Sequence, residues 1–86
     1  MTRFRVAVHI VPRQGILDPQ GKAVADALHT LGFHSVIDAR IGRREVLDVP
    51  APSPETAATA VRAMCDRLLA NPVTEDYEIA RVEALP

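Results

Sequence analysis

Apolar and polar residues alternate along the first predicted element, Arg3–Val11. One side of this segment carries Phe4, Val6, Val8 and Ile10, and the other side carries Arg5, Ala7 and His9. A period of two is typical of a β-strand with one buried face. Pro12 cannot donate a hydrogen bond to a neighbouring strand and Gly15 follows it, so the strand is predicted to end there.

A helix is predicted to begin at Asp18. This residue is a favourable N-cap, and Pro19 suits the first helical position because its missing N–H would have no helical partner. Helical spacing then produces one apolar stripe, formed by Val24, Ala27, Leu28 and Leu31. Gly32 is the expected left-handed C-cap. Gly21 weakens the first turn by roughly 0.5–1 kcal/mol relative to Ala, so something other than helix propensity must favour it.

Two further strands joined by a turn are predicted after this helix. Ser35–Ile41 is expected to form the second strand, and Glu45–Val49 the third. Gly42-Arg43-Arg44 is expected to be a solvated turn between them, because a connection this short is typical of a hairpin.

The second helix is predicted to begin in the same way, with Ser53 as N-cap and Pro54 as its first residue. Its apolar residues recur at helical spacing: Ala57, Val61, Met64, Cys65, Leu68 and Leu69. Asn71-Pro72 is expected to stop the helix. Tyr77 and Ile79 then open a last strand that is predicted to end near Glu83.

The predicted order of elements is β-α-β-β-α-β in a single domain, residues 1–86. This order indicates an α+β, ferredoxin-like βαββαβ sandwich, with a four-stranded antiparallel sheet and both helices on one face. The other face would be solvated or covered by a second copy or a partner. A chain of this size buries only about 60% of the surface that its unfolded form exposes, which favours oligomerisation.

Composition narrows the possible classes of protein. The chain has 10 basic and 11 acidic residues, so it lacks the basic excess that is typical of nucleic-acid binding. Its one cysteine, Cys65, cannot form an internal disulfide, which suits a reducing cytoplasm. No signal peptide is visible, and no apolar run approaches the ~20 residues that cross a bilayer. We therefore expect a cytoplasmic protein that binds neither nucleic acid nor membrane.

Candidate chemistry in the sequence is sparse. The three histidines, His9, His29 and His34, show no metal-ligand spacing with Cys65 or with carboxylates. Cys65 lies in the apolar stripe of the second helix and is expected to be a small buried hydrophobe. The segment before the first helix lacks the spacing of a phosphate-binding loop. No catalytic, cofactor-binding or metal-ligating residue is predicted, which indicates a binding, regulatory or scaffolding module.

Two blocks of this sequence closely resemble the PurS family. The first comprises Gly15–Val24, Ala27-Leu28-His29 and Leu31-Gly32-Phe33, followed by Val36, Asp38, Arg40 and Gly42. The second comprises Met64-Cys65, Leu68–Val73 and Glu75–Ile79. The resemblance implies structural or interface roles for Asp18, Pro19, Gln20, Gly21, Lys22, Asp38, Arg40, Gly42, Asn71 and Pro72. One departure follows Ile79, where Arg81 takes an expected apolar position, so the last strand should end early, bulge or shift register.

The resemblance also implies a function. PurS proteins are the small, non-catalytic subunit of phosphoribosylformylglycinamidine synthase, a C–N-forming ligase of purine biosynthesis that uses glutamine. The expected partners are the glutaminase PurQ, the synthetase PurL and further copies of this chain, as a dimer or tetramer. ATP and Mg would serve the complex without binding to this chain, and ammonia would pass from PurQ to PurL.

Two alternatives share the predicted order of elements. The first is an ACT-like module that binds a regulatory amino acid near Gly15, which precedes the first helix. The second is a small enzyme of the acylphosphatase kind, but the sequence lacks the phosphate-cradling, arginine-containing loop of that class.

Overall fold

The computed structural model describes all 86 residues, Met1–Pro86, and is an α+β fold of three strands and two helices. The strands are β1 (Thr2–Pro12), β2 (Arg43–Ala51) and β3 (Glu75–Ala84). The helices are α1 (Pro19–Thr30) and α2 (Pro54–Met64), and one π-helical turn, Cys65–Leu69, continues α2.

The three strands form one antiparallel sheet in the order β2-β1-β3. The central strand pairs with β2 from Thr2↔Ala51 to Ile10↔Arg43, and with β3 from Phe4↔Ala84 to Pro12↔Glu75. Its alternating pattern therefore supplies the middle of the sheet, with one apolar and one polar face.

The prediction of a four-stranded sheet is wrong. Ser35–Ile41 does not form a strand, and Gly42-Arg43-Arg44 is not a hairpin turn, because β2 already begins at Arg43. Residues 35–42 form an irregular connection, which we call the arm. In the predicted topology this segment would lie along the outer edge of β2, but the arm packs on α1 instead and leaves that edge unpaired within the chain.

The core lies between the sheet and α2. Its nine buried residues are Phe4, Val6, Val8, Ile10, Ala51, Ala57, Val61, Cys65 and Ala70. The predicted faces of β1 and α2 are thus confirmed, and Cys65 is fully buried as expected. Leu68 is the exception: it is 82% exposed, because the wide π-helical turn departs from the spacing on which the predicted stripe depends.

The prediction that both helices cover one face of the sheet is also wrong. Helix α2 packs on all three strands, whereas α1 makes no comparable contact with any strand. Val24 and Leu31 of the predicted α1 stripe are 39% and 73% exposed. The buried residues of α1 are instead Gly21 and Ala25. The radius of gyration is 16.3 Å, well above the about 12 Å typical of a compact domain of this length.

The close approach of the arm to α1 explains the glycine in the first helical turn. A Cβ atom at Gly21 would overlap the backbone carbonyl group of Ala39 in the arm. The absence of a side chain therefore allows the arm to lie directly on the helix. This is the requirement that outweighs the weak helix propensity of Gly21.

The predicted N-caps and the left-handed conformation of Gly32 are confirmed. Asp18 and Ser53 are the N-caps, and the Ser53 Oγ accepts a hydrogen bond from the Thr56 N–H at 3.2 Å. Gly32 has a φ of +98° and follows α1. The Gly32 N–H donates to the His29 carbonyl, and the next residue, Phe33, donates to the Leu28 carbonyl.

A β-bulge in β3 resolves the departure at Arg81. The register with β1 shifts between Ala7 and Val8, which leaves Ala80 without an opposite residue. Arg81 consequently lies opposite Ala7 on the polar face, and Val82 lies opposite Val6 on the core face. The bulge thus keeps the charged Arg81 on the polar face of the sheet and the apolar Val82 on the core face.

Replacing Gly32 by Val should lower the free energy of unfolding by about 1–3 kcal/mol, because a β-branched residue resists positive φ. Urea unfolding monitored by circular dichroism measures the change. Gly32→Asn is the matched control and should cost less, since Asn tolerates this conformation. Equal stability of the two variants would show that the backbone does not need this conformation.

Replacing Gly21 by Ala should destabilise the protein by about 1–3 kcal/mol, because the added methyl group overpacks the contact between α1 and the arm. At an exposed helical position the same change would stabilise by roughly 1 kcal/mol. Gln20→Ala, at an exposed position of the same turn, is the control and should be near neutral. A Gly21→Ala variant with a raised thermal midpoint would contradict the assigned contact.

Candidate interaction site

Asp18 joins the beginning of α1 to the arm. One carboxylate oxygen, Oδ1, accepts a hydrogen bond from the Gly21 N–H at 3.1 Å, and Oδ2 accepts one from the Ile41 N–H at 2.9 Å. Both bonds lower the pKa of Asp18 below its ordinary value, and the bond from Ile41 has the larger effect. The carboxylate therefore holds together two segments that are 23 residues apart in the sequence.

The end of the arm is fastened to β1. The Arg40 guanidinium donates to the Pro12 carbonyl at 3.3 Å, and its Nε lies 3.7 Å from the Asp38 Oδ2. Gly42 lies so close to the backbone of Ile10 and Val11 that a side chain would not fit. The arm is therefore held at one end by β1 and along its length by α1.

The family resemblance assigns structural or interface roles to ten residues, which we call the signature residues. Seven of them lie where α1, the arm and the end of β1 meet. Pro19 is the first residue of α1, and Gln20 and Lys22 are exposed beside it. The Lys22 Nζ lies 3.3 Å from the Asp26 Oδ2 one turn later. The members of this group are Asp18, Pro19, Gly21, Asp38, Arg40 and Gly42, with Lys22 on its exposed side.

Asn71 and Pro72 lie apart from this group, in the turn that precedes β3. The Asn71 side-chain oxygen accepts from the Val73 N–H at 3.0 Å, and the Asn71 carbonyl accepts from the Glu75 N–H at 2.8 Å. The Asn71 N–H in turn donates to the Glu75 Oε1 at 2.8 Å. This signature pair therefore shapes the entry into the last strand.

An ion-pair network centred on Arg43 was not predicted from the sequence, which placed this residue in a solvated turn. Its guanidinium contacts Glu75 at 2.7 and 3.3 Å and Glu45 at 3.1 Å, and it also donates to the Leu69 carbonyl. The Arg43 guanidinium, with the Asn71 N–H, lowers the pKa of the Glu75 carboxyl. The network links the starts of β2 and β3 to the end of the α2 extension. No sequence signal pairs Arg43 with a residue 32 positions later.

The sheet face opposite α2 is polar, and several of its charges are paired. Arg5 binds Asp48 across β1 and β2 at 3.0 Å, which lowers the pKa of that carboxyl. The Arg44 guanidinium donates to the His9 Nε2 at 3.0 Å, so the His9 Nδ1 carries the proton and donates to Glu78 at 3.3 Å. Both β2 and β3 thus contribute partners for β1.

A surface of exposed apolar residues lies on α1 and the segments around it. It includes Leu17 before the helix, Leu31 at its end, Phe33 after it and Ile37 of the arm, which is 97% exposed. We call these residues, with Val24, the α1–arm surface. Several exposed apolar residues on neighbouring segments favour a protein–protein contact.

The remaining candidates from the sequence have structural contacts. The His29 Nε2 lies 2.6 Å from the Val36 carbonyl, and its ring stacks on His34 at a centroid distance of 6.4 Å. Burial raises the pKa of the Cys65 thiol. No group of three or more His, Cys, Asp or Glu residues is arranged to hold a metal. No helix has the length and apolar character to cross a membrane.

Comparison with known proteins identifies the family. Residues 5–83 match the sequence profile of PurS, described as phosphoribosylformylglycinamidine (FGAM) synthase. The PurS subunit of this synthase from Bacillus subtilis is 40% identical over 74 residues, 86% of this chain and 87% of the relative. The corresponding subunit from Mycobacterium leprae is 42% identical over 78 residues, 90% and 94% of the two chains.

Solved structures agree with this result. Thermus thermophilus PurS superposes with a TM-score of 0.82 at 39% identity, covering 98% of this chain and 99% of the other. A chain of the Thermotoga maritima structure named PurLQS superposes with a TM-score of 0.79 at 33% identity, covering 99% and 100%. These matches favour the PurS resemblance over the ACT-like and acylphosphatase-like alternatives. The chain therefore belongs to the PurS family, whose curated members are subunits of phosphoribosylformylglycinamidine synthase.

Proposed function

We propose that this chain is the non-catalytic adaptor of phosphoribosylformylglycinamidine synthase. In this role it joins the glutaminase PurQ to the synthetase PurL and supports the passage of ammonia between them. The reaction converts formylglycinamide ribonucleotide, glutamine, ATP and water into formylglycinamidine ribonucleotide, glutamate, ADP and phosphate.

The observation that carries this proposal is the likeness to a chain of the Thermotoga maritima PurLQS structure over almost the full length of both chains. The fold adds support, because many of its charged side chains form ion pairs with one another and several large apolar residues remain exposed. Arg43 is bound by Glu45, Glu75 and a backbone carbonyl, and the thiol of Cys65 is buried. Such side chains stabilise a scaffold, whereas the exposed apolar residues suit contacts with other chains.

Ammonia transfer explains why an adaptor would be needed. Free ammonia released by a separate glutaminase would dilute and become mostly ammonium near neutral pH. Holding two sites together raises the effective concentration of an intermediate, as tethering does for binding. ATP and Mg belong to the synthetase in this scheme, and this chain binds neither. The proposed location is the cytoplasm.

The chain is further proposed to form a homodimer through the α1–arm surface. One helix covers the core, while α1 exposes Val24 and Leu31 and the arm exposes Ile37. A second copy would cover these residues. A stable pair typically buries about 1,600 Å² in total, and the extended shape of 51 × 28 × 14 Å provides a long surface for it.

Sedimentation equilibrium at about 10–50 µM tests the homodimer, because usual interface strengths give mostly dimer in this range. We expect twice the 9.4 kDa mass of one chain. Leu31→Glu should shift the protein toward monomer, because it places a charge in the apolar contact. Leu68→Glu is the matched control at an equally exposed leucine outside this surface, and it should remain dimeric. A wild-type monomer throughout the range would refute the homodimer.

Reconstitution of the synthase tests the adaptor role. PurL and PurQ are assayed with and without this chain, using either glutamine or a high concentration of ammonium salt as the nitrogen source. We expect the chain to raise the glutamine-dependent rate at least about tenfold, because it makes nitrogen transfer intramolecular. The ammonia-dependent rate should change little, since PurL carries its own active site. Equal stimulation of both rates would instead indicate an effect on PurL itself, and stimulation of neither would refute the adaptor role.

A further inference from the structure

The arm has the composition of a strand but no strand beside it. Residues 36–42 run without a turn or a bend between α1 and β2. Within the chain, the Ala39 carbonyl faces Gly21 and the Ile41 N–H donates to Asp18, so these two residues direct backbone groups toward α1. The backbone N–H and C=O groups of Asp38 and Arg40 form no hydrogen bond within the chain.

This alternation is that of an edge strand. In an extended chain the backbone groups of successive residues point to opposite sides. With residues 39 and 41 directed toward α1, residues 38 and 40 direct their donors and acceptors away from the protein. An edge of this kind is a template for another strand.

The charges of the arm select one partner. Asp38 and Arg40 are two residues apart, have opposite charges and have half-exposed side chains. When two copies of the arm run antiparallel about a two-fold axis through Ala39, Asp38 of one copy lies opposite Arg40 of the other. The same pairing occurs twice, as a closed symmetric dimer requires. Opposite charges at facing positions of antiparallel strands stabilise their pairing.

The free backbone groups of the arm are compatible with the same register. Hydrogen-bonded and non-hydrogen-bonded pairs alternate along an antiparallel ladder. The free groups of Asp38 and Arg40 supply two hydrogen-bonded pairs, 38 with 40 and 40 with 38. Ala39 then faces its own copy in the non-hydrogen-bonded pair between them, which agrees with the position of its carbonyl on α1.

From this agreement we propose that residues 37–41 of the arm pair with the same residues of a second copy in an antiparallel two-stranded ladder centred on Ala39. The proposal rests on the homodimer proposed above and specifies its central contact. The strand predicted for this segment would then pair with a strand of the second copy, because it has no partner in its own chain. Ile37 of one copy lies opposite Ile41 of the other in this register.

Charge reversal tests the pairing. Asp38→Arg places like charges opposite each other twice in the dimer, and so does Arg40→Asp. Each variant alone should raise the dimer dissociation constant at least about tenfold. Mixed one to one, they should form a heterodimer of near wild-type affinity, because both facing pairs of positions 38 and 40 then join an arginine of one chain to an aspartate of the other. Both variants should retain the wild-type circular dichroism spectrum. Absence of rescue by two folded variants would overturn the proposed register.

Cysteine cross-linking supplies a second measurement that does not depend on charge. Facing residues of a non-hydrogen-bonded pair have Cα atoms about 4.5 Å apart, within the range that a disulfide spans. Ala39→Cys should therefore form a dimer linked through residue 39 on mild oxidation, identified by peptide mass spectrometry. Ile37→Cys is more exposed but faces residue 41, so it should cross-link at least about tenfold more slowly. The double variant Ile37→Cys/Ile41→Cys should link residue 37 to residue 41.

The two proposals can fail separately. A wild-type chain that sediments as a monomer would overturn the homodimer and the paired arms with it. A wild-type dimer in which Ile37→Cys cross-links as fast as Ala39→Cys would overturn only the paired arms and leave the homodimer standing.

Discussion

The carboxylate of Asp18 is the contact on which the arrangement of the chain outside the sheet depends. It caps α1 through the Gly21 N–H and binds the Ile41 N–H just before β2 begins. Helix α1 does not pack on the sheet, so its attachment to the arm takes the place of a hydrophobic contact with a strand. The backbone hydrogen bonds that lower the pKa of Asp18 also favour its charged form at neutral pH.

A three-stranded sheet covered by one helix explains the rest of the architecture. The core contains nine buried residues, and its only helical cover is α2 with its extension. The chain therefore has a polar sheet face opposite α2 and, apart from the sheet, exposed apolar residues around α1. Association would stabilise a domain of this size, so its unburied apolar residues agree with the proposed homodimer.

The charged residues divide between stabilisation and recognition. Arg43 closes one end of the core by joining Glu75 to the carbonyl of Leu69, and Arg5 joins Asp48 on the polar face. Asp38 and Arg40 differ because their backbones lie at a free edge. This difference connects the family signature to the proposed assembly: Asp18, Gly21 and Gly42 fix the position of the arm, and the free edge of the arm is the one proposed to pair with a second copy.

The sequence by itself determined several features that depend on local geometry. The alternation of β1, the N-caps Asp18 and Ser53 and the positive φ of Gly32 were all predictable, because each follows from residues a few positions apart. The apolar stripe of α2 and the burial of Cys65 were predictable for the same reason, and the family signature was readable because its residues are close together in the sequence.

Only the tertiary structure decided how the elements combine. The sequence pattern of residues 35–41 was compatible with a strand, but Asp18 and Gly21 hold the arm on α1, so it pairs with no strand of its own chain. The stripe of α1 was compatible with a core position, but the sheet was covered by α2. The Arg43–Glu75 pair and the role of Gly21 beside Ala39 also required the fold, because these partners are far apart in the sequence. Periodicity specifies which face of an element is apolar, whereas competition for the limited area of the sheet decides which faces are buried.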